Sequence, residues 1–508
     1  MQLSRREVLK GSLAVCGAAA IPAVGACPAE AAAKPAPLPG APKWKHAVGD
    51  PRGIDIAVTS GRNAEARYGM MFKSLPAYAP PDDLLTALAE QMVEARGPLS
   101  DVSQSNDGYD NPYLPAGYTY LGQFIDHDMT RDETPLSQQQ LDPSGLKNFD
   151  TPYFDLGSVY GRGPDLDPQL YDPVVRGKLR LVEREGVLDV PRTADDTAMI
   201  GDPRNDENLI ILQLQIAFIR LHNLFLESHD FATARRLTRW HFQWVIVNDF
   251  LPRVAGDVVK TLLVKQPTGQ IQFKAGFYRP LNPLKPMMPI EYSAAAYRFG
   301  HSMIRAEYEL RDVPSTDGSP EVSLTLPIFS MDGPDLRGSR PLPADLVLDW
   351  NYFFDVPGLD SPDDRNMARL IDTQVARPLH DLPATVVAHT AGAIIALAER
   401  NLLRGKRLGL PAGQDVAKAM RIPPISNADL GLTDPRWNGK APLWFYILKE
   451  AELGGGRRLG PVGARIVAEV ILGVIAADQS SYFNASPGFT PVVPGFRMGT
   501  LLQMCGAV

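Results

Sequence analysis

The segment YLGQFIDHDMT at residues 120–130 places His127 between two carboxylates, Asp126 and Asp128, inside an otherwise apolar run. Charged groups are costly to bury unless they are paired or hydrogen-bonded, so this triplet needs partners or a chemical role. On a helix, Gln123 and His127 lie one turn apart on the same face, and the two aspartates project to either side of it. A capped helix end with a solvated charge cluster is the structural alternative, and the rest of the chain has to decide between them.

A second histidine, His301, stands in the segment YRFGHSMIR. Gly300 before it permits the close approach of a planar group, and Arg298 and Arg305 flank it. Two nearby cations disfavour protonation of an imidazole, which suits a neutral nitrogen that binds a metal near an anionic cofactor. A histidine on a helix surface would show the same pattern. Because the chain has eight histidines, a haem or metal ligand must come from a short list.

The segment IGDPRNDENLI at residues 200–210 precedes a long apolar run. Asp206 is suited to cap the helix that this run predicts. Arg204 and Glu207 are three residues apart and can point into one cleft. An arginine beside a histidine in a dry pocket can polarise a bound peroxide while the histidine moves its proton.

The segment LAERNLLRGKRLGLP at residues 397–411 has the pattern of a basic helix end closed by glycines. Asn401 offers an amide oxygen that could orient an imidazole N–H group. Arg404 offers a guanidinium group for a carboxylate. This segment therefore contains groups that could support a site without reacting in it.

The elements that must position these residues are mainly helical. Two segments show the alternation typical of strands, residues 271–274 and 321–329. The chain contains 46 prolines, which fit long connections better than a sheet. We therefore predict one mainly α domain over residues 51–508, with few short strands and long Pro-rich loops, after a linker at 34–50. Helical periodicity is strongest at residues 83–95, 206–229, 231–251, 291–305, 384–404 and 462–477.

Composition limits the class of ligand. The chain of 508 residues has a formal net charge of −7 and a sequence pI of about 5.7, with no basic block after its first ten residues. These values argue against nucleic acid or an anionic membrane surface as a partner. A small molecule is the better expectation.

The first 33 residues have the pattern of an export signal. Arg5 and Arg6 form a twin-arginine pair before an apolar stretch that is too short for a convincing transmembrane span. We expect export by the twin-arginine route, which carries folded proteins, to the periplasm or the medium. Cys27 weakly resembles a lipoprotein acylation site, although Pro28 disfavours that reading. Removal of the signal would leave Cys505 as the sole cysteine, so no intrachain disulfide is expected.

Five motifs, in this order along the chain, are similar to those of the animal-type haem peroxidases: GQFIDHD, TPYFDLGSVYG, GDPRNDE, RFGH and RNLLRGKRLGLP. This superfamily includes myeloperoxidase, peroxidasin and the cyclooxygenases, and the resemblance covers most of residues 100–411. It implies a mainly α-helical fold around haem b. It also implies an enzyme that reduces hydrogen peroxide and, through a ferryl intermediate, oxidises halide, thiocyanate or small organic donors.

The resemblance also implies a role for each motif residue around the haem. On the distal side these are the acid/base His127, its hydrogen-bonding neighbour Gln123 and the distal arginine Arg204. On the proximal side they are the iron ligand His301, its partner Asn401, and Arg298 and Arg404 near the propionates. Asp126 and Glu207 match residues that form ester bonds to haem methyl groups in some relatives.

A calcium site is part of the same resemblance. Its ligands would be Asp128, Thr151, the Tyr153 backbone and Asp155, which are oxygen donors of the kind that calcium binds. Many relatives have a serine hydroxyl ligand where this chain has Gly157. With Gly157 at that position, the resemblance leaves three alternatives for calcium: weaker binding, a site completed by water, or no bound calcium.

Two other functions stay open. A fatty-acid dioxygenase of the cyclooxygenase branch has a radical tyrosine three residues before its proximal histidine. Arg298 stands at that position here and Tyr297 lies one residue further away, which disfavours oxygenation. An exported haem-binding or adhesion protein could use the same fold as a scaffold, although His127 and Arg204 speak against it.

Overall fold

The computed structural model describes residues 68–93, 108–130, 152–280, 282, 286–314, 321–330, 333–383, 387 and 393–508. The predicted signal peptide and linker, and the calcium candidate Thr151, lie outside these residues. Helical segments make up 41% of the structure and strands 13%, which confirms the predicted mainly α fold.

The described α-helices, numbered in chain order, range from single turns to long core helices. They are α1 (Asp82–Gln91), α2 (Gly117–His127), α3 (Gly157–Tyr160), α4 (Leu209–Leu226), α5 (Phe231–Val245), α6 (Leu251–Ala255), α7 (Val258–Leu262), α8 (Ile290–Ser293), α9 (Leu397–Arg407), α10 (Gly413–Ala419), α11 (Leu443–Leu453), α12 (Pro461–Ala477) and α13 (Met498–Met504).

The described strands form two-stranded pairs instead of a larger sheet. One pair is parallel and joins β1 (Tyr68–Gly69) to β7 (Met288–Pro289). The antiparallel pairs are β2 (Asp110–Pro115) with β10 (Met367–Arg369), β3 (Val182–Arg184) with β4 (Val187–Asp189), β5 (Leu263–Lys265) with β6 (Ile271–Phe273), and β8 (Glu307–Val313) with β9 (Val322–Pro327). Both predicted strands are therefore present.

Helix α4 is the centre of the core. Asn208 caps it, because the side-chain oxygen of Asn208 accepts a hydrogen bond of 2.9 Å from the Ile211 amide. The helix is apolar on all sides and almost every residue in it is buried, as expected for a helix surrounded by others. Phe124 of α2 stacks on Phe218 of α4 with ring centroids 4.7 Å apart, which fixes α2 against this core.

Helix α4 also resembles a membrane span by length and composition. It is the one described helix with these properties, and 83% of its apolar window is buried inside the protein. That burial is what a core helix of this composition requires.

The helix that begins at Phe231 changes its geometry after Val245. Residues Ile246–Phe250 form a π-helical turn, and α6 continues directly from it. A π turn inserts an extra residue into the helical path and changes the direction of the following side chains.

The helix predicted over residues 291–305 is present only in part and with a different geometry. The chain there forms the single turn of α8 and then a 3₁₀ helix, Ala296–Met303, which contains His301. The predicted helix at 384–404 lies partly outside the described residues, and α9 begins only at Leu397. The predictions at 83–95, 206–229, 231–251 and 462–477 correspond to α1, α4, α5 and α12.

Candidate active site

His127 is the last residue of α2 and is 5% exposed. Its Nδ1 atom lies 2.8 Å from Oδ1 of Asn205, whose Nδ2 donates to Oε1 of Gln215 at 2.8 Å. Nε2 of Gln215 in turn donates to the Ser158 carbonyl oxygen at 3.2 Å. A carbonyl can only accept, so this chain of amides points the Asn205 oxygen at the imidazole. The Nδ1 of His127 therefore carries the proton, and Nε2 keeps the lone pair that a general base needs.

Arg204 lies in a 3₁₀ turn, Pro203–Asp206, directly before α4. Its guanidinium group forms an ion pair of 2.8 Å with Asp202 and donates a hydrogen bond of 3.1 Å to the His127 carbonyl oxygen. Asp202 also accepts a hydrogen bond from the Arg204 backbone amide at 2.9 Å. These contacts hold Arg204 against the end of the helix that contains His127.

Asp206 does not cap helix α4, contrary to the prediction, because Asn208 has that role. The Asp206 carboxylate instead accepts two hydrogen bonds, of 2.8 and 2.9 Å, from Arg192. Arg192 is fully buried and also pairs with Asp189 at 2.9 Å. A buried cation needs such partners, and this one fixes the segment that contains Arg204 to the β3–β4 hairpin.

Gln123 contacts the same segment. Its side-chain oxygen accepts a hydrogen bond of 3.3 Å from the amide nitrogen of Asn208. Gln123, which lies one helical turn before His127 in α2, is therefore hydrogen-bonded to Asn208, the residue that caps α4.

Asp126 shows that separate parts of the chain converge here. Its carboxylate accepts a hydrogen bond of 2.9 Å from Thr130. Burial raises the pKa of Asp126, whereas the positive charges of Arg204, Arg298 and Arg404 lower it. These three arginines come from the turn before α4, the 3₁₀ helix of His301 and helix α9. The structure thus brings the predicted distal and proximal residues to one place.

Glu207 belongs to the same charge cluster. Desolvation of the carboxyl group raises the pKa of Glu207 to about 7. The charge of Arg204 opposes this rise, and the carboxylates of Asp202 and Asp126 add to it. The charges of Arg204 and Glu207 therefore lie within electrostatic range of each other.

The Nδ1 atom of His301, like that of His127, contacts the side-chain amide of an asparagine. At His301 the amide nitrogen faces the ring, whereas at His127 the amide oxygen does. The Nδ2 atom of Asn401 lies 2.8 Å from Nδ1 of His301, and the Asn401 oxygen accepts a hydrogen bond of 3.2 Å from Arg298. The prediction that Asn401 presents its oxygen to the imidazole was wrong for this state, because a guanidinium group only donates and so takes that oxygen. Burial, with the Arg298 charge, lowers the pKa of His301 to about 3, so the ring is neutral.

Two neighbours of His301 have other partners. Arg305 donates two hydrogen bonds of 2.7 Å to Asp110, so the expectation that it flanks the imidazole electrostatically was wrong. The Tyr297 hydroxyl donates a hydrogen bond of 3.1 Å to the Gly122 carbonyl of α2, and the Tyr297 ring stacks on Tyr292 at 4.8 Å. Tyr297 therefore joins the 3₁₀ helix that contains His301 to helix α2.

The predicted calcium ligands lie next to this cluster. Asp128 is fully buried, and its two oxygens accept hydrogen bonds from the Leu156 amide at 2.8 Å and the Ser158 amide at 3.4 Å. Asp155 accepts a hydrogen bond of 3.1 Å from the Gly157 amide. Among the described residues no cluster of three or more His, Cys, Asp or Glu side chains could hold a metal ion. Calcium also binds backbone and hydroxyl oxygens, so a site with two carboxylates still fits its chemistry.

Gly201 connects the loop of Asp155 to the segment of Arg204. A Cβ atom at this position would lie 2.3 Å from the Gly157 carbonyl oxygen and 2.7 Å from that of Ser158. Backbone atoms cannot move aside cheaply, so only glycine allows the two loops to pack this closely.

Comparisons with known proteins find similarity over part of the chain. Residues 127–345 match the family model of the animal haem peroxidases. A segment of 116 residues is 32% identical to the peroxidase-like protein of Margaritifera margaritifera, and it covers 21% of this chain and 14% of that protein. The chain spans less than a quarter of the length of the curated relatives that it matches.

Solved structures extend the likeness to most of the chain. Peroxidase A from Dictyostelium discoideum superposes with a TM-score of 0.53 at 16% identity, covering 87% of this chain and 90% of that one. A fatty acid alpha-dioxygenase of Oryza sativa, solved with palmitic acid, superposes with a TM-score of 0.56 at 15% identity, covering 88% and 81%. The chain therefore has the same overall fold as these two proteins.

Proposed function

We propose that this protein is a haem peroxidase that reduces hydrogen peroxide and oxidises a small donor such as a halide, thiocyanate or a phenol. The observation that carries the proposal is the convergence of Arg204, Arg298 and Arg404 on Asp126, between a segment with His127 and a segment with His301. The imidazoles of these two histidines could face the two sides of a planar cofactor, and the three arginines could neutralise its two negative charges.

The residues that would hold haem b are His301 at the iron and Arg298 and Arg404 at the propionates. The low pKa of His301 keeps its imidazole neutral, which is the form that binds a metal. When bound, the iron supplies the redox chemistry that no amino-acid side chain provides.

The protein's own residues would manage the proton and the charge. With its Nδ1 proton held by Asn205, His127 can accept a proton from hydrogen peroxide at Nε2 and return it to the leaving oxygen. Arg204 is fixed by Asp202 and can stabilise the negative charge that develops as the O–O bond breaks. The proposed mechanism thus needs both residues.

An absorbance spectrum followed by a peroxidase assay tests the proposal. Purified protein should show a Soret band and oxidise a phenolic donor only when hydrogen peroxide is present. A protein that binds haem but lacks this activity would favour the alternative of a non-catalytic haem-binding protein. A protein that does not bind haem would contradict the proposal.

A fatty-acid dioxygenase is the second candidate, because structures of this fold include fatty acid alpha-dioxygenases. Tyr297 is the nearest tyrosine to His301 in sequence, yet its hydroxyl is engaged with the Gly122 carbonyl. We therefore expect no oxygen uptake with palmitic acid. Oxygen uptake that a Tyr297→Phe variant loses would favour the dioxygenase.

Ester bonds between haem and the two carboxyl groups, Asp126 and Glu207, are part of the proposal. Each bond would join a carboxyl oxygen to a methyl carbon, and the two hydrogens lost would leave with one hydrogen peroxide as two waters. Protein treated with peroxide should then retain haem in acidic organic solvent, and the Asp126→Asn/Glu207→Gln variant should not. Complete extraction of haem from the unmodified protein would contradict the linkage.

Calcium binding is proposed at Asp128 and Asp155, with Thr151 and the Tyr153 backbone as further ligands. The packing of this loop on Gly201 supports a role in holding the segment of Arg204. Elemental analysis should find about one calcium per chain, and chelation should lower the melting temperature. A calcium-free protein with unchanged stability would contradict the site.

Export by the twin-arginine route completes the proposal, and the Arg5–Arg6 pair and the apolar stretch after it support it. Changing both arginines to lysine should leave the precursor in the cytoplasm. Mature protein outside the cytoplasm in that variant would indicate the general secretion route.

A further inference from the structure

A second pocket lies away from the histidine cluster, where strand β2, the residues after α11 and the start of α13 meet. Its volume is about 300 Å³, which is the size of a small-molecule site. Arg457, Arg458 and Arg497 line it together with Tyr113. We call this feature the arginine pocket.

The three arginines of this pocket have no ion-pair partner in the part of the chain that the structure describes. Among the described residues, no carboxylate lies within 4.0 Å of Arg457, Arg458 or Arg497, although the chain carries a net charge of −7. A concentration of positive charge on an acidic protein creates a local field that attracts anions.

The nearby carboxylates already have other partners. Asp249 in the pocket wall is buried, pairs with Arg253 at 2.8 Å and accepts hydrogen bonds from the Tyr118 hydroxyl at 2.7 Å and the Met498 amide at 2.9 Å. Asp257 is within electrostatic range of Arg458 but pairs with Lys260 at 2.8 Å. The pocket therefore presents positive charge to a ligand and keeps its negative charge occupied.

An aromatic surface adjoins these charges. The Tyr113 ring is 65% exposed, which is unusual for so large a side chain, and the Arg457 guanidinium carbon lies 4.8 Å from its centroid. A guanidinium group stacked on a ring keeps its N–H groups free at the edge, where they can bind a carboxylate or phosphate in a bidentate way. The exposed ring offers a face to a second planar group.

We propose that the arginine pocket binds a small aromatic anion, with its carboxylate or phosphate on the arginines and its ring against Tyr113. The site is separate from the histidine cluster and does not depend on haem. A peroxidase with such a site would bind an anionic organic molecule at a place distinct from its reaction centre.

Isothermal titration calorimetry on the full chain as purified tests this proposal. The probes are phenyl phosphate, benzoate, inorganic phosphate and uncharged phenol. We expect phenyl phosphate or benzoate to bind, phenol to show no binding, and added salt to weaken the interaction. The stronger of the two anions identifies the preferred head group.

Variants separate the contributions of charge and ring. The double variant Arg457→Gln/Arg497→Gln should bind the aromatic anion about tenfold more weakly or worse, because it loses charge-assisted hydrogen bonds. Tyr113→Ala should weaken binding of phenyl phosphate and leave that of inorganic phosphate unchanged. Arg176→Gln is the matched control, since Arg176 is also exposed but lies in a different loop.

The outcomes that would overturn the proposal are distinct. Absence of binding by both aromatic anions, or equal affinity in the double variant and the control, would show that these arginines are only solvated. If inorganic phosphate binds as tightly as phenyl phosphate and Tyr113→Ala changes neither affinity, the aromatic part is wrong. Because the substituted residues are exposed, circular dichroism of each variant should match that of the unmodified protein.

Discussion

Each of the two sides of the candidate active site has a histidine whose Nδ1 atom contacts an asparagine side chain. The amide oxygen faces the ring on one side, and the amide nitrogen faces it on the other. His127 and His301 each have an asparagine 2.8 Å from Nδ1. Asn205 turns its oxygen to the ring because its side-chain nitrogen donates a hydrogen bond to Oε1 of Gln215. Asn401 turns its nitrogen to the ring because Arg298 takes its oxygen.

The partner beyond each asparagine therefore decides what the imidazole can do. The His127 ring carries its proton on Nδ1 and has a basic Nε2. The His301 ring accepts at Nδ1 and carries its proton on Nε2 in this state. Iron coordination through Nε2 would require the Asn401 amide to turn over and Arg298 to take another acceptor. The distal side is thus ready for its proposed role, whereas the proximal side has to rearrange.

The largest expected effect breaks the proximal side. His301→Ala should abolish haem retention, because the variant loses the proposed protein ligand to iron. Absorbance spectra of the purified proteins measure this. His380→Ala is the control, because the partly buried His380 side chain lies outside the cluster and has a long contact of 3.8 Å to Glu90. This variant should keep the Soret band. Normal haem content in His301→Ala would remove the assignment.

The next effect breaks the distal side. His127→Ala should keep haem but react with hydrogen peroxide at least about 10²-fold more slowly, as expected for loss of a positioned general acid–base group. Stopped-flow absorbance measures the rate. An unchanged rate would mean that another group moves the proton.

A smaller effect on the peroxide reaction tests the role of the Asn205 oxygen that faces His127. Asn205→Ala should slow the peroxide reaction roughly tenfold, because the orientation of the His127 ring is no longer fixed. Asn205→Asp should restore much of the rate, since a carboxylate oxygen still accepts the hydrogen bond from the Nδ1–H group of His127. That carboxylate also favours the charged imidazole and raises the pKa of His127, so the rate should begin to fall at a higher pH. A pH profile identical to that of the unmodified protein would show that Asn205 only fills space.

The smallest expected effect concerns the pH dependence of stability and a third buried histidine, His241. His241 donates to the Leu237 carbonyl at 2.7 Å, and its Nε2 is buried without a hydrogen-bond partner. Burial lowers the pKa of His241 to about 4 from the usual 6.5, so the unfolded chain binds more protons between these values. The free energy of unfolding therefore falls as the pH drops below 6.5, and this group contributes a loss of about 2 kcal/mol at pH 5.

His241→Phe should reduce this acid sensitivity, because the ring lies among Phe225, Phe489 and Phe496. Thermal unfolding at pH 7.5 and 5.0 measures the difference. An equal drop in melting temperature for both proteins would show that other groups dominate the acid response.

Much of the fold could be predicted from the sequence because long apolar helices such as α4 and α12 carry their own periodicity. The region around His301 could not, because a 3₁₀ helix and an α-helix have similar patterns over eight residues. The short helices α10 and α13 were also missed, since seven residues give too few turns for a periodic signal.

In the candidate site, the sequence identified the residues that converge on Asp126 but missed Asn205. A polar residue in the segment PRNDEN is consistent with a turn or a cap. A signal did exist on the partner side: Gln215 stands in an apolar helix, where a buried amide must find hydrogen-bond partners. Its partner could be identified only from the folded chain. The orientation of Asn401 was likewise decided by Arg298, which lies 103 residues away in sequence.

The close packing of Gly201 on the carbonyl groups of Gly157 and Ser158 has a consequence for local unfolding. Neither loop can leave its position without disturbing the other, so residues 155–158 and 201–207 should open as one cooperative unit. In native-state hydrogen exchange, the amides of both loops would then share one opening free energy. Because the Asn205–Gln215 chain ends on the Ser158 carbonyl, that opening would also release the imidazole of His127.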